Sequence, residues 1–192
     1  YFPKSSAYKL ATNHTRTRYS AFEKNAFDRI KLMNEENYVI KNATEFSTKE
    51  KSKFKEIVLS MGEVSEKTFD GLMAKNPVIL FYPNTNEIEA VGALKIPNKS
   101  YKSKVFEYSK TEFHSTDFDY ELGWIVSLKQ KKGIGKLITK VLSEFKPKIY
   151  STVRTENIGM NKIMNSLGFK KVGNEYKSER GDYYNFLYLK TK

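Results

Sequence analysis

The segment Trp124-Ile-Val-Ser-Leu-Lys-Gln-Lys-Lys-Gly-Ile-Gly-Lys136 joins an apolar run to a turn with two glycines and then to a strongly amphipathic stretch. This pattern predicts a buried strand, a tight turn and the start of a helix. The first backbone N–H groups of a helix have no internal partner, and the helix dipole leaves partial positive charge there. Glycines let a ligand approach the backbone closely. Lys131, Lys132 and Lys136 add charge. The chemistry such a turn suits is the holding of an anion, a pyrophosphate in particular. The same glycines also serve a plain strand-to-helix turn, so the residues alone leave both readings open. Two phosphate fingerprints are excluded. The third glycine of the dinucleotide motif is absent, and no Gly-Lys-Ser/Thr follows a four-residue spacer.

The elements around this turn are legible from period and punctuation. Ile134, Leu137, Ile138, Val141, Leu142 and Phe145 fall on one helical face, with Lys136, Lys140 and Glu144 on the other. Tyr120 to Leu128 reads as a strand buried on both faces. Lys148 to Val153 reads as a short strand, and Asn157 to Leu167 as a helix closed by Gly168. Upstream, Ser47-Thr-Lys-Glu50 is a capping-box pattern opening a helix with Phe54, Ile57, Val58 and Met61 on its apolar face. Ser65 is the next N-cap, before Phe69, Leu72 and Met73. Val78–Tyr82 and Ile88–Ile96 form a hairpin, Tyr101–Tyr108 is a third strand, and Phe169–Val172 and Tyr183–Leu189 are the last two. Residues 1–20 lack a period, and residues 21–33 carry helical spacing. The sum is a mixed α/β layer fold, divided into an N-terminal arm, 1–40, and a domain, 41–192.

Composition narrows the chemistry. The chain has 192 residues and no cysteine, which excludes a disulfide scaffold, a thiolate metal site and a cysteine nucleophile. His14 and His114 are too far apart in sequence to suggest a metal site, so no metal is expected. No run approaches the roughly 18 apolar residues of a membrane span, and residues 1–4 do not resemble a secretory leader. A cytoplasmic location is expected. The net charge is +12, a balance that suits phosphate-rich partners as well as simple solubility. It is uneven: residues 111–128 hold four acids and no base, and residues 129–148 hold seven bases and one acid.

Gln130-Lys131-Lys132-Gly133-Ile134-Gly135, after its strand, resembles the coenzyme A-binding motif of the GNAT acyltransferases. That motif is Gln or Arg, two residues, Gly, any residue, then Gly or Ala. The strand Lys148–Val153 and the helix from Asn157 to Gly168-Phe169 resemble the next block of the same family. The resemblance covers about residues 45–190. It implies a mixed sheet with helices on both faces and splayed central strands, plus the N-terminal extension. It also implies acetyl-CoA as co-substrate, with the pantetheine arm beside Ile125, Val126 and Ser127 and the pyrophosphate at Gln130, Lys131, Lys132, Gly133, Ile134, Gly135 and Lys136. Asn157 either contacts the coenzyme or caps its helix.

The implied reaction is direct attack of an amine on the thioester, which requires a proton acceptor. Asp117, Asp119 and Glu121 alternate, so on a strand they share a face. In histone-acetylating members of the family a base Glu stands where Glu121 is, so Glu121 is the catalytic candidate. Its alternative is a surface acid or a partner for a lysine. The chain departs from the family at Met164, where many members have a Tyr that protonates the thiolate. Met has no proton to give and suits core packing, which leaves Tyr150, Tyr176, Tyr183, a water or no group at all as the acid.

The expected activity is therefore N-acetyl transfer to a primary amine on a small molecule or peptide, the acidic 111–128 strip attracting a cationic acceptor. Two alternatives accompany it. One is a nucleic-acid- or tRNA-associated protein of this fold, supported by Tyr8, Lys9, Arg16, Arg18 and Tyr19 and by the basic 95–110 segment. The other is a non-catalytic coenzyme-binding module. The sequence leaves the oligomeric state open.

Overall fold

The computed structural model describes residues 37–83, 85, 87–129 and 133–191. The N-terminal arm up to residue 36, with His14 and the aromatic and basic residues named above, lies outside the described residues, as do Gln130, Lys131 and Lys132.

Seven strands form one sheet in the order β1-β2-β3-β4-β5-β7-β6. They are β1 (Val39–Asn42), β2 (Val78–Tyr82), β3 (Ala90–Lys95), β4 (Tyr120–Ser127), β5 (Lys148–Arg154), β6 (Lys170–Lys177) and β7 (Tyr184–Thr191). Every neighbouring pair is antiparallel except β4–β5. Among the described residues five helices accompany them: α1 (Thr48–Leu59), α2 (Glu66–Met73), α3 (Lys99–Tyr108), α4 (Ile134–Phe145) and α5 (Ile158–Ser166). Short 3-10 turns occupy Ala43–Glu45 and Ser115–Asp117.

The caps explain where the helices begin. Ser47 accepts from the Glu50 amide, and the Glu50 carboxylate returns to the Ser47 amide at 2.7 Å, closing the capping box that opens α1. Ser65 accepts from the Thr68 amide at the start of α2. Gly133, at φ +97°, caps α4 by backbone conformation alone.

Alternation along the strands sorts the helices onto two faces. Phe46, Phe54, Phe69, Phe81, Ala93 and Val126 form one core with α1 and α2. Trp124 stacks on Phe69 at 4.9 Å between ring centroids, as expected of a core aromatic. Val105 and Phe106 of α3 pack with Tyr150, Leu187 and Leu189 on that same face. The other face belongs to α4 and α5. A Cβ at Gly92 of β3 would meet Leu142 of α4, Lys190 of β7 reaches Ser143 of α4, and the Tyr188 hydroxyl donates to Asn161 of α5 at 2.9 Å.

Three expectations change. Residues 101–108 are not a strand but most of α3. Tyr101, Val105 and Tyr108 recur at helical spacing, and that period outweighs their aromatic and β-branched character. Asp117 lies in a 3-10 turn and Asp119 in the link to β4, so the alternating acids do not share a strand face; only Glu121 is in β4. Strand β6 runs on to Lys177 through a mostly exposed stretch, Gly173-Asn-Glu175, that carries no apolar alternation.

Candidate functional site

Strands β4 and β5 pair at only two positions, Tyr120↔Ile149 and Glu121↔Tyr150, and then part. The cause is on the other edge of β4. The register against β3 shifts between Val91 and Ala93, so Trp124 and Ile125 together oppose Gly92. Trp124 takes φ +52°, uncommon for a residue with a side chain. Such a bulge bends its strand and increases local twist, which turns β4 away from β5. The Ser151 hydroxyl donates to the Leu122 carbonyl at 2.9 Å, satisfying the first carbonyl beyond the paired region.

The gap is a cleft of about 300 Å³. Leu122–Val126 and Ser151–Arg154 form its two strand walls, the end of α1 and the loop after it form a third, and Asn157 and Met160 lie at one end. Arg154 forms an ion pair with Glu63 at the rim. Next to β4, the first-turn amides of α4 at Ile134, Gly135 and Lys136 have no acceptor within the helix. Gly135 lies against Ile163 of α5. The Ile134 side chain is buried, while Lys136 is exposed.

Among the sequence candidates, Ile125, Val126 and Asn157 line the cleft. The Ser127 hydroxyl donates to the Lys129 carbonyl at 2.7 Å. Asn157 does cap α5, accepting from the Met160 amide at 2.9 Å, while also bordering the cleft. Met164 is fully buried, in keeping with a packing role.

Glu121 sits where the two strands part, and it is buried. Its Oε1 accepts from the Lys95 ammonium at 3.0 Å and from the Tyr101 and Thr152 hydroxyls at 3.4 Å each. Lys95 faces Glu121 across the β3–β4 ladder. Its side chain runs over Gly123, where a Cβ would stand 2.8 Å from its Cε and Nζ, and its ammonium lies 5.6 Å from the Trp124 ring. Burial raises the pKa of the Tyr101, Tyr150 and Tyr176 hydroxyls, and the Glu121 charge raises each further. All three are therefore neutral phenols near pH 7, able to donate hydrogen bonds. The Tyr150 hydroxyl is buried without a hydrogen-bond partner; it feels the Glu121 charge, but no well-formed bond joins them. Among the described residues none of Tyr150, Tyr176 and Tyr183 lines the cleft.

Lys95, Tyr101, Thr152 and Arg154 were not legible as site residues. The signal for Lys95 is a cross-strand register between segments separated by α3. No group of three potential metal ligands occurs among the described residues, and no helix among them is long and apolar enough to cross a membrane.

Neither a family model nor a curated protein sequence matches this chain. Solved structures do match its shape. A GNAT-family acetyltransferase from Bacillus cereus ATCC 10987 superposes with a TM-score of 0.55 at 14% identity, over 81% of this chain and 97% of the other. The ribosomal-protein-S18-alanine N-acetyltransferase of Escherichia coli gives 0.56 at 16% identity, over 80% and 93%. Arabidopsis thaliana NAA60 in complex with acetyl-CoA gives 0.54 at 13% identity, over 81% and 99%. The chain has the GNAT fold. At such identities the likeness speaks for the fold and not for the acceptor.

The bulge in β4 makes Gly92 a sensitive position, because the Leu142 and Ile125 methyls stand 2.7 and 2.8 Å from where its Cβ would lie. Gly92→Val overpacks this contact at a cost of about 1–3 kcal/mol. It is expected to lower the melting temperature by several degrees, which calorimetric melts of the variant check.

Proposed function

We propose that this protein is an acetyltransferase that moves acetyl from acetyl-CoA to a primary amine. The observation that carries the reading is the splay of β4 from β5 beside the free amides at the start of α4. The parted strands offer unpaired backbone to an amide-bearing arm. The helix start, with Lys131 and Lys132 just before it in sequence, offers positive potential to phosphates. In this reading Ile125, Val126 and Ser127 hold the arm, and Gln130 to Lys136 hold the pyrophosphate. Asn157 borders the cleft while capping α5. The neighbours support acetyl-CoA as the donor: one was solved with it, and another acetylates an alanine of a ribosomal protein.

The acceptor nitrogen attacks the thioester carbonyl carbon. A C–N bond forms, the C–S bond breaks, and the amine proton passes to Glu121 and on to solvent or the departing thiolate. The products are an amide and the free thiol. Glu121 is suited to this by its place at the fork. The Lys95 ammonium already holds Oε1 at 3.0 Å, so the acceptor amine must share the carboxylate with Lys95.

Part of the basic segment that favoured nucleic acid is engaged internally. Lys95 holds Glu121, Lys102 donates to the Phe118 carbonyl at 2.7 Å, and Lys104 pairs with Glu179 at 2.8 Å. That favours the acetyltransferase reading. A cytoplasmic location remains part of it, as does the division into an N-terminal arm, 1–40, and a domain, 41–192.

Gly135→Glu tests the donor site. The new carboxylate adds bulk and negative charge to the first turn of α4, against a phosphate. Titration calorimetry is expected to read at least about tenfold weaker acetyl-CoA binding, with the melt unchanged. Wild-type affinity in the variant contradicts the donor site.

A further inference from the structure

A second pocket, of about 100 Å³, lies between α3 and the β6–β7 hairpin. Tyr101, Tyr108, Thr152 and Tyr176 line it, with Lys104 and Arg180 toward solvent. Thr152 lines both this pocket and the cleft between β4 and β5. Its hydroxyl and that of Tyr101 both bond Glu121 Oε1. A group entering from the hairpin side therefore meets the two hydroxyls that hold this carboxylate at the fork.

The charges along this path are ordered. Behind the inner end stands Glu121, bonded by the Tyr101 and Thr152 hydroxyls that line the pocket. At the outer end the acid Glu179 is already bound by the Lys104 ammonium at 2.8 Å and by the Tyr108 hydroxyl at 2.9 Å. Lys177 is met by Asp182 at 3.1 Å. Arg180 pairs with no carboxylate among the described residues; its guanidinium lies 5.2 Å from the centroid of the Tyr101 ring. Tyr101 thus spans the path, with a carboxylate at its hydroxyl and a guanidinium over its ring. A guanidinium in this state has its fork free for a carboxylate or a phosphate. A polyamine would bring a second ammonium beside Arg180 and Lys104. The acidic 111–128 strip does not reverse this, since Glu121 is buried and no other acid of the strip lines the pocket.

We propose that this pocket receives the acceptor, and that the acceptor is a small primary amine bearing an acidic group. Its nitrogen lies at Thr152 and Glu121, and its carboxylate or phosphate lies on Arg180. The inference rests on the acetyltransferase reading and adds the substrate class to it.

The test is a matched panel with acetyl-CoA: β-alanine and γ-aminobutyrate against propylamine, O-phosphoethanolamine against ethanolamine, and spermidine. Released thiol and product mass give the rates. The acid-bearing member of a pair is expected to have a kcat/KM about tenfold or more above its neutral partner, mainly through KM. The carboxylate and phosphate arms tell which acid is preferred. Arg180→Ala is expected to raise KM for the acid-bearing amine about tenfold, and so to collapse the preference. Faster turnover of spermidine or of the neutral amines overturns the proposal, as does a preference that survives in Arg180→Ala. Acetyl-CoA affinity measured in the same preparations separates the two readings. If the coenzyme binds but no acid-bearing amine is acetylated, the substrate class fails alone. If the coenzyme does not bind, both fail.

Discussion

Glu121→Gln is expected to lower amine acetylation by about 10²–10⁴-fold, the range for loss of a general base. Acetyl-CoA affinity should be nearly unchanged, because Glu121 lies at the fork and does not line the cleft. The amide keeps the shape of the carboxylate and can still accept from Tyr101 and Thr152. What it loses is the charge facing Lys95 and the capacity to take a proton. The substitution therefore also leaves the Lys95 ammonium buried without its counter-ion, and the rate loss must be separated from lost stability. Single-turnover rates at saturating acetyl-CoA, taken well below the melt, make that separation. A variant with wild-type rate at neutral pH returns Glu121 to a purely structural role as the partner of Lys95.

Lys95→Met should have the complementary effect. Both side chains of the pair are nearly inaccessible, at 11% for Lys95 and 5% for Glu121. Removing one member of a buried pair costs about 3–5 kcal/mol, because it strands the other charge. A chain of this size is expected to lose roughly 2–4 °C of melting temperature per kcal/mol, so the drop should be large. The double variant Lys95→Met/Glu121→Gln removes both charges and should recover most of that loss while staying inactive. Denaturant melts of the four proteins give the coupling directly. If Lys95→Met melts like wild type, the pair contributes nothing to the fold. Residual activity in Lys95→Met would add that Glu121 works as a base without its lysine.

Local rules made the sequence readable where one element decides its own form. The apolar stripe of α4, the capping box at Ser47 and Glu50, the N-cap at Ser65 and the β2–β3 hairpin each depend on a few neighbouring residues, and each is present. Where two periods compete, the reading fails: Tyr101, Val105 and Tyr108 suit a strand by composition and a helix by spacing. Strand β1 has four residues and exists through its ladder to β2, so its own sequence does not announce it.

The site was legible only on one side. The glycine turn and the strand before it are contiguous in sequence, so the strand, the turn and the helix start could be read as one candidate site. The splay depends on Trp124 and Ile125 lying opposite Gly92, and Lys95 reaches Glu121 only through register. Neither follows from residues read one segment at a time. The second pocket gathers α3, β5 and the β6–β7 hairpin, and Arg180 had no reason to stand out before the fold brought it over Tyr101.

Amide hydrogen exchange with and without acetyl-CoA tests the central claim most directly. The account expects protection, on adding the coenzyme, of the backbone between Gly123 and Ser127 and of the first turn of α4. The β6–β7 hairpin should exchange as before until an acceptor is added. Protection confined to other segments, or none at saturating acetyl-CoA, would contradict the claim that the coenzyme enters between β4 and β5.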